Sequence, residues 1–235
     1  AGAGCKAVYQ WLDAVDKRNM RISLCDVHPT DPNKVYVGTA NGGLYRTLDG
    51  GVNWKAMMDS AQSLAIGAVT IDPSNPTTVW VGTGEGNGSA DSFAGVGLYR
   101  ILNAESASPT LEGPFGGAGS RVTGCGTAAS NGIAFLGTSI TRIVFDPNNA
   151  NRMFIANTTG VAGIGVGVPA GGTNGFIGLW LSENSSAASP TFSRCSVFGA
   201  GNFPIKDMVV EPGSSNNMVF HVVDNAGTST GVYRT

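Results

Sequence analysis

Four segments of this chain repeat one pattern, and that repeat limits the folds open to it more than any other feature. They read LCDVHPTDPNKVYVGTA from Leu24, AVTIDPSNPTTVWVGTG from Ala68, RIVFDPNNANRMFIANT from Arg142 and DMVVEPGSSNNMVFHVV from Asp207. In each, a proline (Pro29, Pro73, Pro147, Pro212) stands six positions before an apolar triplet that begins at Val35, Val79, Met153 or Met218. Residues two and four before each proline are apolar: Val27 and Cys25, Ile71 and Val69, Phe145 and Ile143, Val210 and Met208. Period-two alternation of this kind marks a strand with one buried face. Proline has no N–H for the ladder, so it ends that strand, and the Asn, Asp, Ser and Gly residues after it supply turn chemistry. The triplet opens a second strand, rich in β-branched and aromatic residues. A third follows a glycine-rich loop, as GLYRT at Gly43, GLYRI at Gly97, GLWLS at Gly178 and GVYRT at Gly231. A fourth is expected after Trp54 (KAMM), after Pro109 (TLEG) and after Pro190 (TFSRCSV).

The spacing separates scaffold from variation. Successive prolines are 44, 74 and 65 residues apart, and the triplet lies 9, 19, 26 and 14 residues before Leu44, Leu98, Leu179 and Val232. The first hairpin is constant, and the length differences fall in the loop between second and third strands and in the links between units. A single domain over residues 1–235 is expected, with repeat units near 22–66, 67–112, 139–198 and 205–235. Residues 113–138, containing GPFGGAGSRVTGCGTAASNG, read as a glycine-rich insertion.

Composition narrows the function classes. Charged residues are 13% of the chain, about half the usual quarter, and 35 of 235 residues are glycine, so long charged helices are not expected. No apolar run approaches the length of a membrane-spanning helix; the stretch from Gly160 to Val168 is short and ends at Pro169. A net charge of −2 with scattered lysines and arginines argues against a nucleic-acid partner. The polar but uncharged balance suits an all-β protein outside the cell or on its surface. Cys5, Cys25, Cys125 and Cys195 have no CxxC spacing, and with only His28 and His221 a zinc site has too few ligands. Two disulfides, or a mixture of bridged and buried thiols, fit this usage. The opening AGAGCK lacks the charged and apolar regions of a signal peptide, so any export signal is expected to have been removed or never present.

After the first GLYR the chain continues Thr47-Leu48-Asp49-Gly50-Gly51-Val52-Asn53-Trp54. This resembles the Asp-box, or BNR repeat, whose pattern is Ser/Thr, any, Asp, any, Gly, two of any, Trp; all four defining positions match. Together with the DP turn and VYVGT, it resembles the repeats of secreted propellers related to sialidases, xyloglucan-degrading hydrolases and the sortilin receptor domain. The second unit's VWVGTGEGN and GVGLYR also resemble repeats of large exported bacterial proteins. The resemblance runs from Leu24 to the end, strongest in the first two units. The third unit carries a decayed box in Leu181-Ser182-Glu183-Asn184, with Phe192 at the aromatic position, and the second carries none.

The resemblance implies an all-β β-propeller built of four-stranded antiparallel blades, about four of them present. It makes Thr47, Asp49, Gly51 and Trp54 structural: Asp accepts backbone N–H bonds, Gly permits the turn and Trp wedges between strands. The last unit breaks off at VYRT. Either the chain belongs to a larger propeller of six or more blades, or a strand near Ala7–Leu12 (AVYQWL) completes blade four and closes a four-bladed ring. The interruption at VYRT points to the first.

Varying loops on a fixed scaffold are where binding usually sits. They hold Glu85, Asn87, Asp91, Asn157, Asn174 and Asp224 as candidates for a ligand-binding face. Glycoside hydrolysis needs two carboxylates across the sugar, and Glu85 and Asp91 are the weak candidates for that role. Tyr99-Arg100-Ile101-Leu102 lacks the proline of the sialidase arginine motif, and its repeat position explains it. Gly82–Gly88 lacks the lysine of a phosphate loop and leads into a strand rather than a helix. Calcium on Glu85, Asn87 and Asp91 is conceivable on oxygen-ligand grounds, but no cofactor or metal is expected. Trp80, Tyr99 and Trp180, at strand positions, read as core. The expected function is an extracellular or cell-surface binding or structural scaffold. Its expected partners are a glycan or protein ligand and further blades or neighbouring subunits, without nucleic acid or membrane insertion. The rival readings are a glycoside hydrolase of the xyloglucanase-like type and a peptide-binding receptor in the manner of sortilin.

Overall fold

The computed structural model describes residues 22–86, 92–116, 134–159, 177–195, 204–210, 218–222 and 231–234. Within these residues every regular element is a strand, and the strands form four antiparallel sheets. The first sheet holds β1 (Ile22–Val27), β2 (Val35–Thr39), β3 (Leu44–Thr47) and β4 (Lys55–Ala56) in chain order. The second holds β5 (Ile66–Ile71), β6 (Val79–Thr83), β7 (Leu98–Leu102) and β8 (Thr110–Phe115). The third runs β9 (Thr138–Asp146), β10 (Asn149–Thr159), β11 (Gly178–Ser182) and β12 (Ser193–Cys195). The fourth has β13 (Ile205–Val210), β14 (Met218–Val222) and β15 (Gly231–Arg234) among the described residues. The strand near Ala7–Leu12 lies outside them.

The proline spacing sets one register four times. The residue two before the proline pairs with the first of the triplet: Val27 with Val35, Ile71 with Val79, Phe145 with Met153 and Val210 with Met218. The residue after the triplet then pairs with the start of the third strand: Gly38 with Leu44, Gly82 with Leu98, Ala156 with Leu179 and His221 with Val232. Aspartates before the proline stabilise these turns; Asp72 Oδ1 accepts the Ser74 N–H at 2.8 Å and Asp146 Oδ1 the Asn148 N–H at 2.8 Å. β8 continues to Phe115, past the boundary expected at 112, and β10 begins at Asn149, ahead of its triplet.

The sheets stand radially. The innermost strands pack in series, β1 on β5, β5 on β9 and β9 on β13, while β2, β6 and β10 pack on the first strand of the next sheet. β2 and β6 are buried along their whole length, as strands covered on both faces must be. The joint is a knob in a hole. Ile66 and Ile140 lie over glycines of the preceding blade: a Cβ on Gly38 would stand 2.5 Å from Ile66 Cγ2, and one on Gly82 would overlap Ile140 Cγ2 in the same way. At the third joint Ile205 and Ala156 belong to one buried apolar cluster with Leu179 and Met208. Trp80, Tyr99 and Trp180 are buried, Trp180 edge-on to Phe135 with centroids 5.1 Å apart.

Polar contacts pin the same joints further out. Arg46 Nη1 donates to the carbonyls of Ala104 and, at 2.9 Å, Ser106 in the next blade's outer turn. Arg100 Nη1 does the same to Ser185 and Ala187, at 2.7 and 2.9 Å. Both arginines are the last letter of the Leu-Tyr-Arg repeat, and blade three has Leu181 there. Replacing Arg100 by leucine strands the buried Ser185 carbonyl, so Arg100→Leu is expected to lower unfolding stability by about 1–3 kcal/mol. Gly82→Ala, which overfills the joint at Ile140, is expected to cost a similar ~1–3 kcal/mol. Urea denaturation of both variants checks this.

Candidate functional site

Each innermost strand carries one extra residue at the same place. The ladder slips between Ile22 and Leu24, between Ile66 and Ala68, between Ile140 and Arg142, and between Ile205 and Asp207. Ser23, Gly67, Thr141 and Lys206 are therefore β-bulges, each next to the isoleucine of its blade. A bulge re-aims its residue out of the pleat. All four border a single cavity of about 320 Å³, walled by Ile22, Leu24 and Ile66 and reached by Glu85 and Gly86 from the β6–β7 loop.

Gly67 makes room for that loop. A Cβ there would run into the carbonyls of Gly84 and Ile140, so the β6–β7 loop crosses directly over the bulge and delivers Glu85. The loop is pinned by Glu85 N–H donating to Phe93 O at 2.8 Å and Gly84 N–H to Ala65 O at 2.8 Å. Glu85 is 5% exposed. From blade four, Lys206 Nζ donates to the Gly86 carbonyl, which draws the ammonium toward the Glu85 loop. Burial pushes the Lys206 pKa down. The Thr141 hydroxyl is occupied, donating to Ile205 O at 2.6 Å and joining blades three and four. Among the described residues the cavity thus combines apolar walls, one carboxylate and one amine.

Of the other candidates, Asn157 is the one described, and it falls elsewhere. Asn157 is fully buried: its Oδ1 accepts the Gly178 N–H at 2.8 Å and the Trp180 Nε1–H at 3.2 Å, and its Nδ2 donates to Thr138 Oγ1. It sits four residues after the triplet start, where Thr39 and Thr83 hydroxyls bond Gly43 O and Gly97 O, so its repeat position accounts for its place. Asn87, Asp91, Asn174 and Asp224 lie outside the described residues, so the suggested calcium set of Glu85, Asn87 and Asp91 does too. No cluster of metal-binding side chains occurs among the described residues. Asp207 lies within β13 and forms an exposed ion pair with Arg142 at 3.4 Å. Lys206 was not legible as a site residue, because a bulge leaves no mark in a hydrophobic pattern.

The turn from Thr47 to Trp54 is on the opposite side of the blades, beside the proline turns. Asp49 Oδ1 accepts the Asn53 N–H and the Thr47 hydroxyl at 2.9 and 2.8 Å, Thr47 Oγ1 accepts the Gly51 N–H, and Trp54 Nε1 donates to Gly51 O at 3.0 Å. Gly50 and Gly51 have φ of 71° and 98°, which a side chain would strain. Blade three builds a weaker version, with Asn184 Oδ1 accepting the Thr191 N–H at 2.9 Å and Phe192 buried.

No family model matches the chain, and no curated protein matches it. Solved structures do. An ancestral GH74 enzyme superposes with a TM-score of 0.57 at 18% identity, over 86% of this chain and 22% of that one. The GH74 xyloglucanase from Xanthomonas campestris superposes with a TM-score of 0.55 at 17% identity, over 95% of this chain and 30% of that one. The fold is a β-propeller with about four blades. This chain spans less than a third of the length of either relative, and at these identities the likeness is one of fold.

The Asn53 backbone N–H foremost, then the Asn53 amide and the Thr47 hydroxyl, hold the Asp49 carboxyl down to about 2 from its ordinary 3.8. A depressed carboxylate stabilises the fold above its unfolded value and loses that contribution as pH falls through the folded one. Between pH 3.8 and about 2 the chain is therefore expected to lose more thermal stability than Asp49→Asn does, as a melting series in acid will show.

Proposed function

We propose that residues 1–235 form a single extracellular or cell-surface propeller module that binds a glycan through its central cavity. The observation that carries this reading is the convergence of all four bulges, Lys206 among them, on one space shared with Glu85. A cavity of about 320 Å³ has room for a sugar unit or two, not for a folded partner. Its apolar walls suit the C–H faces of a pyranose, while Glu85 accepts from hydroxyls and Lys206 donates to hydroxyl or carboxylate oxygens. The low charge and glycine-rich loops support an extracellular setting. In this reading the Thr47–Trp54 turn is an Asp-box that braces the scaffold away from the ligand.

A second reading is hydrolysis, supported by the fold shared with GH74 enzymes. Hydrolysis needs a pair of carboxylates with a separation fitted to the mechanism. Among the described residues bordering the cavity Glu85 is the one acid, so binding is the better-supported role.

Glycan-array screening followed by calorimetry tests both. Binding of a defined glycan is expected, weakened about tenfold or more by Glu85→Gln and by Lys206→Met, the factor for one hydrogen bond to a charged group. Reducing ends released from a polysaccharide panel by the parent chain but not by Glu85→Gln would replace the binding reading with the hydrolytic one. Absence of glycan binding together with absence of hydrolysis would reject both.

A further inference from the structure

Ser23, Gly67 and Thr141 place a hydroxyl or nothing at their bulges, and Lys206 places an amine. Lys34, Lys55 and Lys206 are the lysines among the described residues, and Lys206 is the one that borders the cavity. Lys34 is ion-paired with Glu105 at 2.6 Å, and Lys55 donates to Ala107 O in an exposed contact. Lys206 has a different setting. Its partner is the Gly86 carbonyl, a neutral group, while the acid next to it on β13, Asp207, is turned to Arg142 at 3.4 Å.

This setting suits an amine nucleophile. The head group is held at the cavity wall, because Gly86 lines the cavity and the bond to its carbonyl fixes where Nζ stands. Glu85, one residue before that anchor, borders the same space and brings a carboxylate that can move protons. Burial disfavours the ammonium and lowers its pKa, which raises the share of the neutral, nucleophilic form. The walls of Ile22, Leu24 and Ile66 offer no competing donor or acceptor side chain, and they limit the water that would hydrolyse a C=N bond.

We infer that Lys206 captures the open-chain aldehyde of a sugar's reducing end as a Schiff base. Capture of this kind rests on the glycan reading of the cavity and specifies which end of the glycan enters. A space bordered by β1, β5, β9 and β13 takes a terminus, and the reducing terminus is the one that offers a carbonyl. The neutral Nζ attacks the carbonyl carbon; a C–N bond forms, the C=O π bond breaks and one amine proton passes to the oxygen. Loss of that hydroxyl with the second amine proton releases one water and leaves the C=N bond. Nothing is oxidised or reduced, and Glu85 carries the proton between nitrogen and oxygen.

Reductive trapping tests this. The full chain is incubated with glyceraldehyde, the simplest aldose, and cyanoborohydride, which reduces an imine to a stable amine, and the modified lysines are mapped by peptide mass. Labelling at Lys206 is expected to run about tenfold or more faster than at Lys34 and Lys55, a low factor for proton transfer by a placed carboxylate. It is expected to slow in Glu85→Gln and to lose its advantage when the parent chain is unfolded in urea. Labelling at Lys206 no faster than at Lys34 and Lys55, or an advantage that survives unfolding, overturns the inference. Calorimetry separates its failure from that of the glycan reading. A reducing oligosaccharide and its borohydride-reduced alditol that bind equally, without selective labelling of Lys206, leave glycan binding standing and reject the Schiff base. Selective labelling of Lys206 with no glycan bound upholds the reactive amine and rejects the wider glycan reading.

Discussion

The joint between consecutive blades is the interaction on which the remaining structure depends. The middle strands β2 and β6 are buried along their whole length, so both of their faces must be covered. Burial on both sides requires the next sheet to approach closely near the axis, where radial sheets crowd. Glycine at 38 and 82 removes the one carbon that would prevent it, and Ile66 and Ile140 fill the space left. The bulge follows from the same demand. An isoleucine turned into the neighbouring blade at the start of an innermost strand is out of step with the alternation below it, and one extra residue restores the phase.

Much of this was readable in the sequence because the constraint recurs. Pro29, Pro73, Pro147 and Pro212 lack a ladder donor whatever surrounds them, so their spacing from the triplet fixed the register in all four blades. The burial of Trp80, Tyr99 and Trp180 followed from strand position alone. What stayed hidden was set by contacts between blades rather than along the chain. The arginine of Leu-Tyr-Arg was visible as a repeat but not as a clamp, since the carbonyls it holds belong to turns 58 and 85 residues away. Asn157 looked like a loop residue because the third unit's loop is long; its place is that of Thr39 and Thr83, inside the sheet.

Divergence among the blades is graded in the same physical terms. Blades one and two keep the glycine hole and the arginine clamp, and blade one alone keeps the full Thr47–Trp54 turn. Blade three replaces the glycine by Ala156, the arginine by Leu181 and the aspartate by Asn184, yet Thr141 and the Arg142–Asp207 pair still tie it to β13. The changes to Leu181 and Asn184 weaken polar ties that the apolar joint can do without. The joint itself persists as a buried apolar cluster of Ala156, Leu179, Ile205 and Met208.

The location of the cavity follows from which positions these demands leave unassigned. Isoleucine before the bulge and a small residue across from it are fixed by packing, and the alternating positions after it are fixed by the ladder. The bulged residue has no partner in the ladder, so its identity varies in three blades, as serine, threonine and lysine, and its side chain is left to bond across the joint, as Thr141 does to Ile205 O. In the second blade it is constrained to glycine, and that constraint admits the loop bearing Glu85. A propeller assembled by this joint therefore gathers its variable side chains near the axis at the one place in each blade where the ladder already slips. Burial disfavours the charge of Lys206 there, and its partner, the Gly86 carbonyl, comes from a loop that the second blade's glycine already brings within reach.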